Sequence, residues 1–233
     1  MTYLVTYNMQ GGGNWVNVGP MLSGLQVPNP NNPYQSLYIR ADVLCLQECG
    51  SPPDPYGAAT VVDAANHVNT LDYRGSKIYW VEWGNANNRC SLAVVTPHTI
   101  TKWHVMPVGA HLRPLLGLKI SFPGRAKSTW VYSGHMPSGN HNFASACAYD
   151  AIMSGQFTGD WILAGDFNCT PAEFTNPPGG RAWVATDGAP VHSGGATHQG
   201  GNTLDYAVSP KVALTYFATQ LMSSDHAAVW FNF

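Results

Sequence analysis

The sequence contains few charged residues: Asp, Glu, Lys and Arg make up 10% of its 233 residues, whereas about 25% is typical of soluble domains. Eleven Lys and Arg stand against thirteen Asp and Glu, and the formal net charge is −2. This balance excludes a global positive field that would attract polyanions. A nucleic-acid partner would therefore have to be held by a few individually placed cations. A surface of neutral polar groups is more typical of secreted proteins, so we expect secretion.

Membrane spans and export leaders are missing as well. No run of about 18 apolar residues occurs, so no transmembrane segment is predicted. The opening residues, MTYLVTYNMQ, lead directly into a strand pattern, without the charged and apolar regions of a secretory leader. The chain is therefore either not exported or the mature form of an exported protein.

The five cysteines include no C-x₂-C pair, which argues against a zinc site. Cys45 lies in the apolar run DVLCLQE and is interpreted as a small buried hydrophobic residue. The other four could form two disulfides. Cys49–Cys90 together with Cys147–Cys169 is one arrangement of three, and the sequence does not choose among them.

Apolar runs predict a domain rich in strands. No internal repeat or charged linker occurs, so residues 1–233 are predicted to form one domain. Helical spacing appears at 14–25 and 140–157, where Asn140 is the predicted cap, and a short helix is predicted after Thr170 with Pro171 in its first position. This mixture predicts an α/β (α+β) fold of two packed sheets with helices outside, and the helices argue against a plain β-sandwich. Strands are predicted at about 2–8, 42–48, 77–83, 91–97, 101–106, 114–121, 128–135, 160–166, 203–208, 211–217 and 226–232.

Polar residues stand at the ends of several of these strands, where a rigid element can place a functional group accurately. Taken one at a time, each has an ordinary structural interpretation, such as a buried hydrogen-bonded acid or a turn residue. Taken together they form one candidate site. Its members are Asn8, Glu48, His135, Asp166, Asn168, Asp205, Asp225 and His226.

The chemistry of this set suits a metal-assisted reaction at phosphorus. Glu48, with Asn8 and either Asp166 or Asp225, offers the hard oxygen ligands that Mg²⁺ prefers. Such a site leaves positions for water and phosphate oxygens. We therefore predict hydrolysis of a phosphodiester or phosphomonoester.

Histidines and their neighbours would carry the proton transfers. His135 and His226 can donate to or accept from phosphate oxygens near neutral pH. Asp205 could hold His226 in the useful tautomer. Asp166 and Asn168 would then handle the attacking water and a non-bridging oxygen.

Six ordered motifs carry a resemblance to a known family: TYNMQG, LQECG, GHMPSGN, GDFN, LDYAV and SSDHAAV. Together they resemble the DNase I-like endonuclease/exonuclease/phosphatase superfamily. QECGSPP and RPLLGLKI are more similar still to the active B subunits of cytolethal distending toxins. The resemblance spans residues 3 to 231.

The resemblance implies a four-layer α/β/β/α sandwich, DNA as substrate and Mg²⁺ as cofactor, with Mn²⁺ or Ca²⁺ in support. It implies Glu48 as the principal metal ligand, with Asn8 and Asp225 nearby. Arg89 and Arg113 fall where the toxin subunits place arginines that contact phosphate. It also implies toxin carrier subunits as partners and action inside a target-cell nucleus.

Departures from the family keep other functions open. Eleven Lys and Arg predict weaker and less salt-sensitive DNA binding than in more basic toxin nucleases. A phosphatase acting on phosphoinositide lipid head groups is the alternative, and a catalytically silent relative is disfavoured because no catalytic position is visibly replaced. DNase I pairs its first histidine with a glutamate. We expect Arg89 near that place here, so the proton role of His135 stays open.

The remaining histidines are interpreted as surface or capping groups, although His141 lies near His135 in the sequence. They are residues 67, 98, 104, 111, 141, 192 and 198. Trp15 and Trp183 are minor candidates for stacking on a ligand.

Overall fold

The computed structural model describes residues 1–29, 32–50, 59–82, 91–106, 113–154, 156–176 and 188–233. Its strands are β1 (Tyr3–Asn8), β2 (Leu25–Asn29), β3 (Asn32–Ile39), β4 (Val43–Gln47), β5 (Thr60–Asp63), β6 (Val68–Tyr73), β7 (Ser76–Val81), β8 (Leu92–Thr96), β9 (Thr99–Met106), β10 (Leu115–Ser121), β11 (Thr129–His135), β12 (Trp161–Asp166), β13 (Pro190–Val191), β14 (Asp205–Val208), β15 (Thr215–Gln220) and β16 (Ala228–Asn232). Its helices are a 3₁₀ helix (Gly12–Asn17), α1 (Val18–Ser23), α2 (His141–Met153) and α3 (Pro171–Thr175).

Two large sheets contain most of these strands. The first has eight strands in the order β15-β16-β1-β4-β8-β7-β6-β5, and the second has six in the order β13-β14-β12-β11-β10-β9. Strands β2 and β3 form a separate antiparallel pair. Parallel pairing of β1 with β4 and of β11 with β12 brings the carboxyl ends of each pair to the same edge of its sheet.

Three apolar cores separate four layers. Leu4 and Ile162 belong to the core between the sheets, and both are fully buried. Met21 of α1 packs in a second core with Trp230, on the outer face of the first sheet. Phe174 of α3 belongs to a third core, outside the second sheet. The predicted α/β/β/α sandwich is confirmed.

Two helices begin where the sequence predicts. The Asn140 side chain accepts a hydrogen bond from the Phe143 amide at 3.1 Å and caps α2. Before α3, Thr170 and Glu173 form a reciprocal capping box, and Pro171 occupies the first turn. Both caps satisfy amide groups that a helix start leaves without an intrahelical partner.

A buried polar contact joins the sheets beneath their carboxyl-end edge. In the Gln47 side chain, Nε2 donates to Ser133 Oγ at 3.0 Å and Oε1 accepts from Thr6 Oγ1 at 3.2 Å. Ser133 Oγ donates to the Leu46 carbonyl oxygen at 3.1 Å. Because buried polar groups are costly when unpaired, this network fixes the relative position of β4 and β11.

The structure corrects several sequence predictions. The strand expected at 211–217 runs over Thr215–Gln220, and β2, β3, β5, β6 and β13 were not predicted. Cys147 and Cys169 are free thiols, so a disulfide between them is wrong. Cys169 instead lies 3.4 Å from the Tyr206 hydroxyl. Cys49 is also a free thiol, and Cys90 lies outside the described residues.

None of the described helices has the length and apolar character needed to cross a membrane.

Candidate active site

One continuous series of contacts links polar residues from both sheets. Glu48 Oε1 lies 3.6 Å from His135 Nε2, which lies 3.5 Å from Asp166 Oδ2. Asp166 Oδ2 lies 3.7 Å from His226 Nε2, and His226 Nδ1 lies 2.8 Å from Asp205 Oδ2. Five of the predicted site residues therefore meet at one place.

The sheet register explains why these residues meet. His135 and Asp166 are directly paired at the ends of β11 and β12, and Asp166 is paired with Asp205 of β14. One step earlier, Gly134 is paired with Gly165. Any Cβ on Gly165 would overlap the backbone oxygen of Gly134, so the close approach of these strands requires glycine there.

Asp205 is held by Thr197, which the sequence analysis did not single out. Thr197 Oγ1 donates to Asp205 Oδ2 at 2.7 Å. The same hydroxyl accepts from the Leu204 and Asp205 amides, at 2.9 and 3.0 Å. These three groups come from the chain just before and within β14, but no local sequence pattern marks the contact. Asp205 is thereby fixed in position opposite His226.

Both oxygens of Asp166 accept hydrogen bonds. Asn8 Nδ2 donates to Oδ2 at 2.9 Å, and the Asn168 amide donates to Oδ1 at 2.8 Å. The Asn168 side chain donates to the Met136 carbonyl oxygen at 2.8 Å. Asn8 thus joins the first sheet to the acid of the second sheet, and Asn168 fixes the loop after β12.

Arg113 lies beside His135, a contact that the sequence analysis did not predict. Arg113 Nη1 is 2.5 Å from His135 Nε2 and 3.2 Å from the Met136 carbonyl oxygen. Because a guanidinium only donates, His135 Nε2 accepts, which places the proton of a neutral ring on Nδ1. Arg89 lies outside the described residues.

Burial and nearby charges shift the pKa values of one acid, Asp166, and one base, His226. Burial, together with the nearby Asp205 charge, raises the pKa of Asp166 to about 7. Burial lowers the pKa of His226, but the hydrogen bond and charge of Asp205, with the charges of Asp166 and Asp225, outweigh it and raise that pKa to about 9. Burial and the nearby negative charge therefore favour the neutral form of Asp166, and the negative charge favours the protonated form of His226.

Three residues at the site have left-handed backbone conformations. The φ angles are 51° at Gln10, 48° at Glu48 and 50° at Asn168. Residues other than glycine adopt this region at a cost, and such residues cluster at functional sites. At Glu48 the conformation directly follows β4.

Asp225 belongs to a neighbouring cluster. Its Oδ2 accepts from Gln10 Nε2 at 2.7 Å and lies 3.5 Å from His198 Nε2. Its Oδ1 lies 3.9 Å from His226 Nε2. The backbone N–H of Gln10 also donates to Asn8 Oδ1 at 3.0 Å. Gln10 lies within the TYNMQG motif, whereas we interpreted His198 as a surface group.

The donor set fits a divalent cation. Four carboxylates, those of Glu48, Asp166, Asp205 and Asp225, lie along the contacts described above. Asp166, Asp205 and His226 also place possible ligand atoms within 4.8 Å of one another. Carboxylate and amide oxygens are the ligands that Mg²⁺ prefers.

Two other candidates have structural contacts. The Trp15 indole is buried and donates to the Cys49 carbonyl oxygen at 2.7 Å, so it packs in the core and is not available for stacking. His141 pairs with Glu173 at 3.0 Å, at the start of α3. Trp183 and His111 lie outside the described residues.

The sequence matches the profile of the Endonuclease/Exonuclease/phosphatase family over residues 5–226. No curated protein matches it significantly. Among solved structures, the chain is similar to CdtB, the biologically active subunit of cytolethal distending toxin. That match has 23% identity, covers 99% of this chain and 96% of that one, and has a TM-score of 0.73.

Two further structures share the fold. The cytolethal distending toxin from Actinobacillus actinomycetemcomitans has 19% identity, coverage of 98% and 97%, and a TM-score of 0.73. The 3'-5' exonuclease (NExo) from Neisseria meningitidis has 16% identity, coverage of 100% and 99%, and a TM-score of 0.59. The predicted DNase I-like fold is therefore confirmed.

Proposed function

This chain belongs to the endonuclease/exonuclease/phosphatase family, and from that membership we propose that it is a Mg²⁺-dependent DNA endonuclease of the cytolethal distending toxin B type. The observation that carries the proposal is the unbroken series of contacts from Glu48 through His135, Asp166 and His226 to Asp205. The residues that we propose as metal ligand, as acid and base and as partners of these groups lie together there. The family fold supports a phosphodiesterase or nuclease type of hydrolase.

Glu48 and Asn8 would hold the cation, with Asp225 nearby, and Mn²⁺ or Ca²⁺ could support the same ligands. A bound divalent cation supplies Lewis-acid polarisation of a phosphoryl oxygen. Arg113 would bind the phosphate, since the hydrogen bonds described for it use only Nη1 and a guanidinium has five N–H donors. Arg89 is proposed for the same role from the sequence alone.

Asp166 and His226 would divide the proton transfers. Water attacks phosphorus, and Asp166, whose pKa of about 7 suits a base at neutral pH, accepts the water proton. The P–O bond to the leaving group breaks, and His226 donates its Nε2 proton to the departing oxygen. Asp205 and Thr197 keep the imidazole oriented through Nδ1. Asn168 holds Asp166 and would bind a non-bridging oxygen.

Phosphoinositide phosphatase activity is the second candidate, and the charge composition favours it. A chain with eleven Lys and Arg and a net charge of −2 offers few phosphate contacts along a DNA backbone. A single inositol phosphate requires far fewer. The same site residues would serve both substrates.

A paired assay separates the two substrates. Supercoiled plasmid and phosphoinositide vesicles are each incubated with the protein, with Mg²⁺ or with a chelator. We expect plasmid nicking that requires Mg²⁺. Phosphate release from the vesicles without nicking would contradict the DNase assignment and support the phosphatase. Absence of both activities would contradict the enzyme assignment and support a catalytically silent binding relative.

Secretion and assembly with toxin carrier subunits are also proposals. The low content of charged residues supports secretion, and the similarity to toxin structures supports a carrier partner. Fractionation of the producing cells tests the first proposal. Co-purification from the same cells tests the second.

A further inference from the structure

His198 occupies an unassigned position at the edge of the active site. Its ring centroid lies 4.7 Å from that of His226, and its Nε2 lies 3.5 Å from Asp225 Oδ2. The side chain is 29% exposed, so it can be reached by a substrate that contacts His226. A third imidazole is therefore available beside the proposed acid.

The backbone of His198 is fixed to the segment that carries His226. The two histidines form an antiparallel β-bridge. The Gln199 amide donates to the Asp225 carbonyl oxygen at 2.9 Å, and the Ala227 amide donates to the Thr197 carbonyl oxygen at 2.7 Å. A side chain held in this way is positioned for its task in advance, as binding residues need to be.

A hydrogen bond within the loop selects the tautomer of His198. The Gly200 amide donates to His198 Nδ1 at 2.9 Å, so Nδ1 carries the lone pair. A neutral imidazole has one donor nitrogen and one acceptor nitrogen, so Nε2 bears the hydrogen. Nε2 is the atom that faces Asp225. His198 therefore presents an N–H donor to the site.

This tautomer decides between two roles for the cluster. The ligating atoms of His198, Asp225 and His226 lie within 4.8 Å of one another, close enough to hold a cation. A histidine that binds a metal through Nε2 needs the lone pair there and normally donates from Nδ1. His198 has the reverse arrangement. A donor role is therefore favoured over a metal-ligand role.

A cavity of about 300 Å³ opens at the same place. Its lining includes His198, Gln199, Asp225, His226, Leu221 and Met222. The cavity is large enough to admit a phosphate ester with part of its attached group. A phosphate oxygen in this cavity would be close to the His198 donor.

We propose that His198 binds the substrate by donating Nε2–H to a non-bridging oxygen of the phosphate ester on which His226 acts. This inference rests on the proposed function, and it applies to any phosphate ester, whether in a nucleic acid or in a lipid head group. Asp225 Oδ2 lies 3.5 Å from the same Nε2, which is long for a hydrogen bond. An anionic phosphate oxygen that approaches more closely would accept the N–H.

The test compares His198→Ala, His198→Gln and a matched control, His192→Ala. His192 is exposed and accepts the Gly194 amide on Nδ1 at 3.0 Å, the same local hydrogen bond without a place in the site. We expect His198→Ala to lower kcat/KM on the order of 10- to 100-fold, as expected for the loss of a hydrogen bond to a charged group. His198→Gln, which keeps a donor near Nε2, should recover much of the loss.

Binding of inorganic phosphate gives a second readout, which a purely structural role would not move. In the presence of Mg²⁺, the dissociation constant for inorganic phosphate should rise in His198→Ala and stay at the wild-type value in His192→Ala. Unchanged phosphate binding and unchanged kcat/KM in a folded His198→Ala protein would overturn the proposal. If His198→Ala fails to fold, a His198→Gln protein with wild-type phosphate affinity supports the donor role, and one that has lost phosphate binding overturns it.

Zn²⁺ separates the two roles of the cluster. Tight 1:1 Zn²⁺ binding by the wild-type protein that disappears in both His198 variants would identify a metal ligand and overturn the donor role. A protein that cleaves neither plasmid nor lipid would refute the proposed function. A protein that cleaves either substrate but binds phosphate equally well as wild type and as His198→Ala, with unchanged kcat/KM, would refute only this inference.

Discussion

Raising the pH above neutrality should destabilise the metal-free protein through His226. The folded protein raises the pKa of His226 to about 9, whereas its ordinary value is 6.5. The folded state therefore binds the proton more tightly than the unfolded chain does. The resulting stability is fully present below pH 6.5 and is lost as the pH rises through about 9.

The two pKa values set the size of the effect. They differ by about 2.5, and at 1.36 kcal/mol for each pKa unit the full contribution is on the order of 3 kcal/mol. Roughly 2 kcal/mol of it should be lost between pH 7.5 and 9.5. This range lies above the titration of Asp166, whose pKa is raised to about 7. For a chain of this length the loss corresponds to a fall in Tm of about 4–8 °C.

Asp205→Asn supplies the comparison. The hydrogen bond and charge of Asp205 are the largest causes that raise the pKa of His226, so most of the pH-dependent loss should disappear in this variant. Burial also raises the pKa of thiols such as Cys45. At high pH these thiols ionise more readily in the unfolded chain, and this lowers the stability of both proteins. The difference between the proteins therefore isolates His226. Urea or thermal unfolding with a chelator present measures it, and equal pH dependence of wild type and Asp205→Asn would refute the reasoning.

Two further substitutions test individual contacts. Arg113→Ala removes a proposed phosphate contact and should mainly raise KM, by about tenfold if it costs about 1.4 kcal/mol of binding; steady-state kinetics with an unchanged KM would count against that role. Thr197→Val leaves Asp205 without its hydroxyl donor at 2.7 Å. It should lower the free energy of unfolding by about 1–3 kcal/mol and also lower kcat. Urea unfolding and plasmid kinetics equal to wild type would show that Thr197 does not position the acid.

The strands that form the site could be predicted because their signal is local. The runs before Asn8, Glu48, His135 and Asp166 are mostly apolar and almost fully buried, as expected of strands covered on both faces. Polar residues at their ends stand out against such runs. The helix caps at Asn140 and Thr170 are local signals too.

The missed strands have a different character. Strand β2 contains Pro28 and pairs with β3 in a two-stranded sheet, with a register shift beside that proline. Strand β5 forms the edge of the first sheet and is largely exposed. Edge strands with proline or with polar exposure lack the apolar pattern on which sequence prediction depends.

Contacts made only by the folded chain could not be predicted. Thr197 meets Asp205 because the loop before β14 folds back on itself, and His198 meets Asp225 because that loop bridges to the segment before β16. Nothing in the local spacing of these residues marks the meeting. Likewise, the contact of Arg113 with His135 was not predicted, and Arg89, which the sequence suggested there, lies outside the described residues. The unpaired cysteines are a third case, since a cysteine count cannot distinguish buried thiols from disulfides.

The rate of Mg²⁺-dependent plasmid nicking by Glu48→Gln, by His226→Ala and by the double variant tests most directly whether the two sheets build one catalytic site. Each single change should slow nicking by at least about 10²-fold. The double variant should be little slower than the slower single variant, because residues that act as one unit do not contribute additively. Wild-type rates in either single variant, or two losses that simply multiply, would contradict a single shared site.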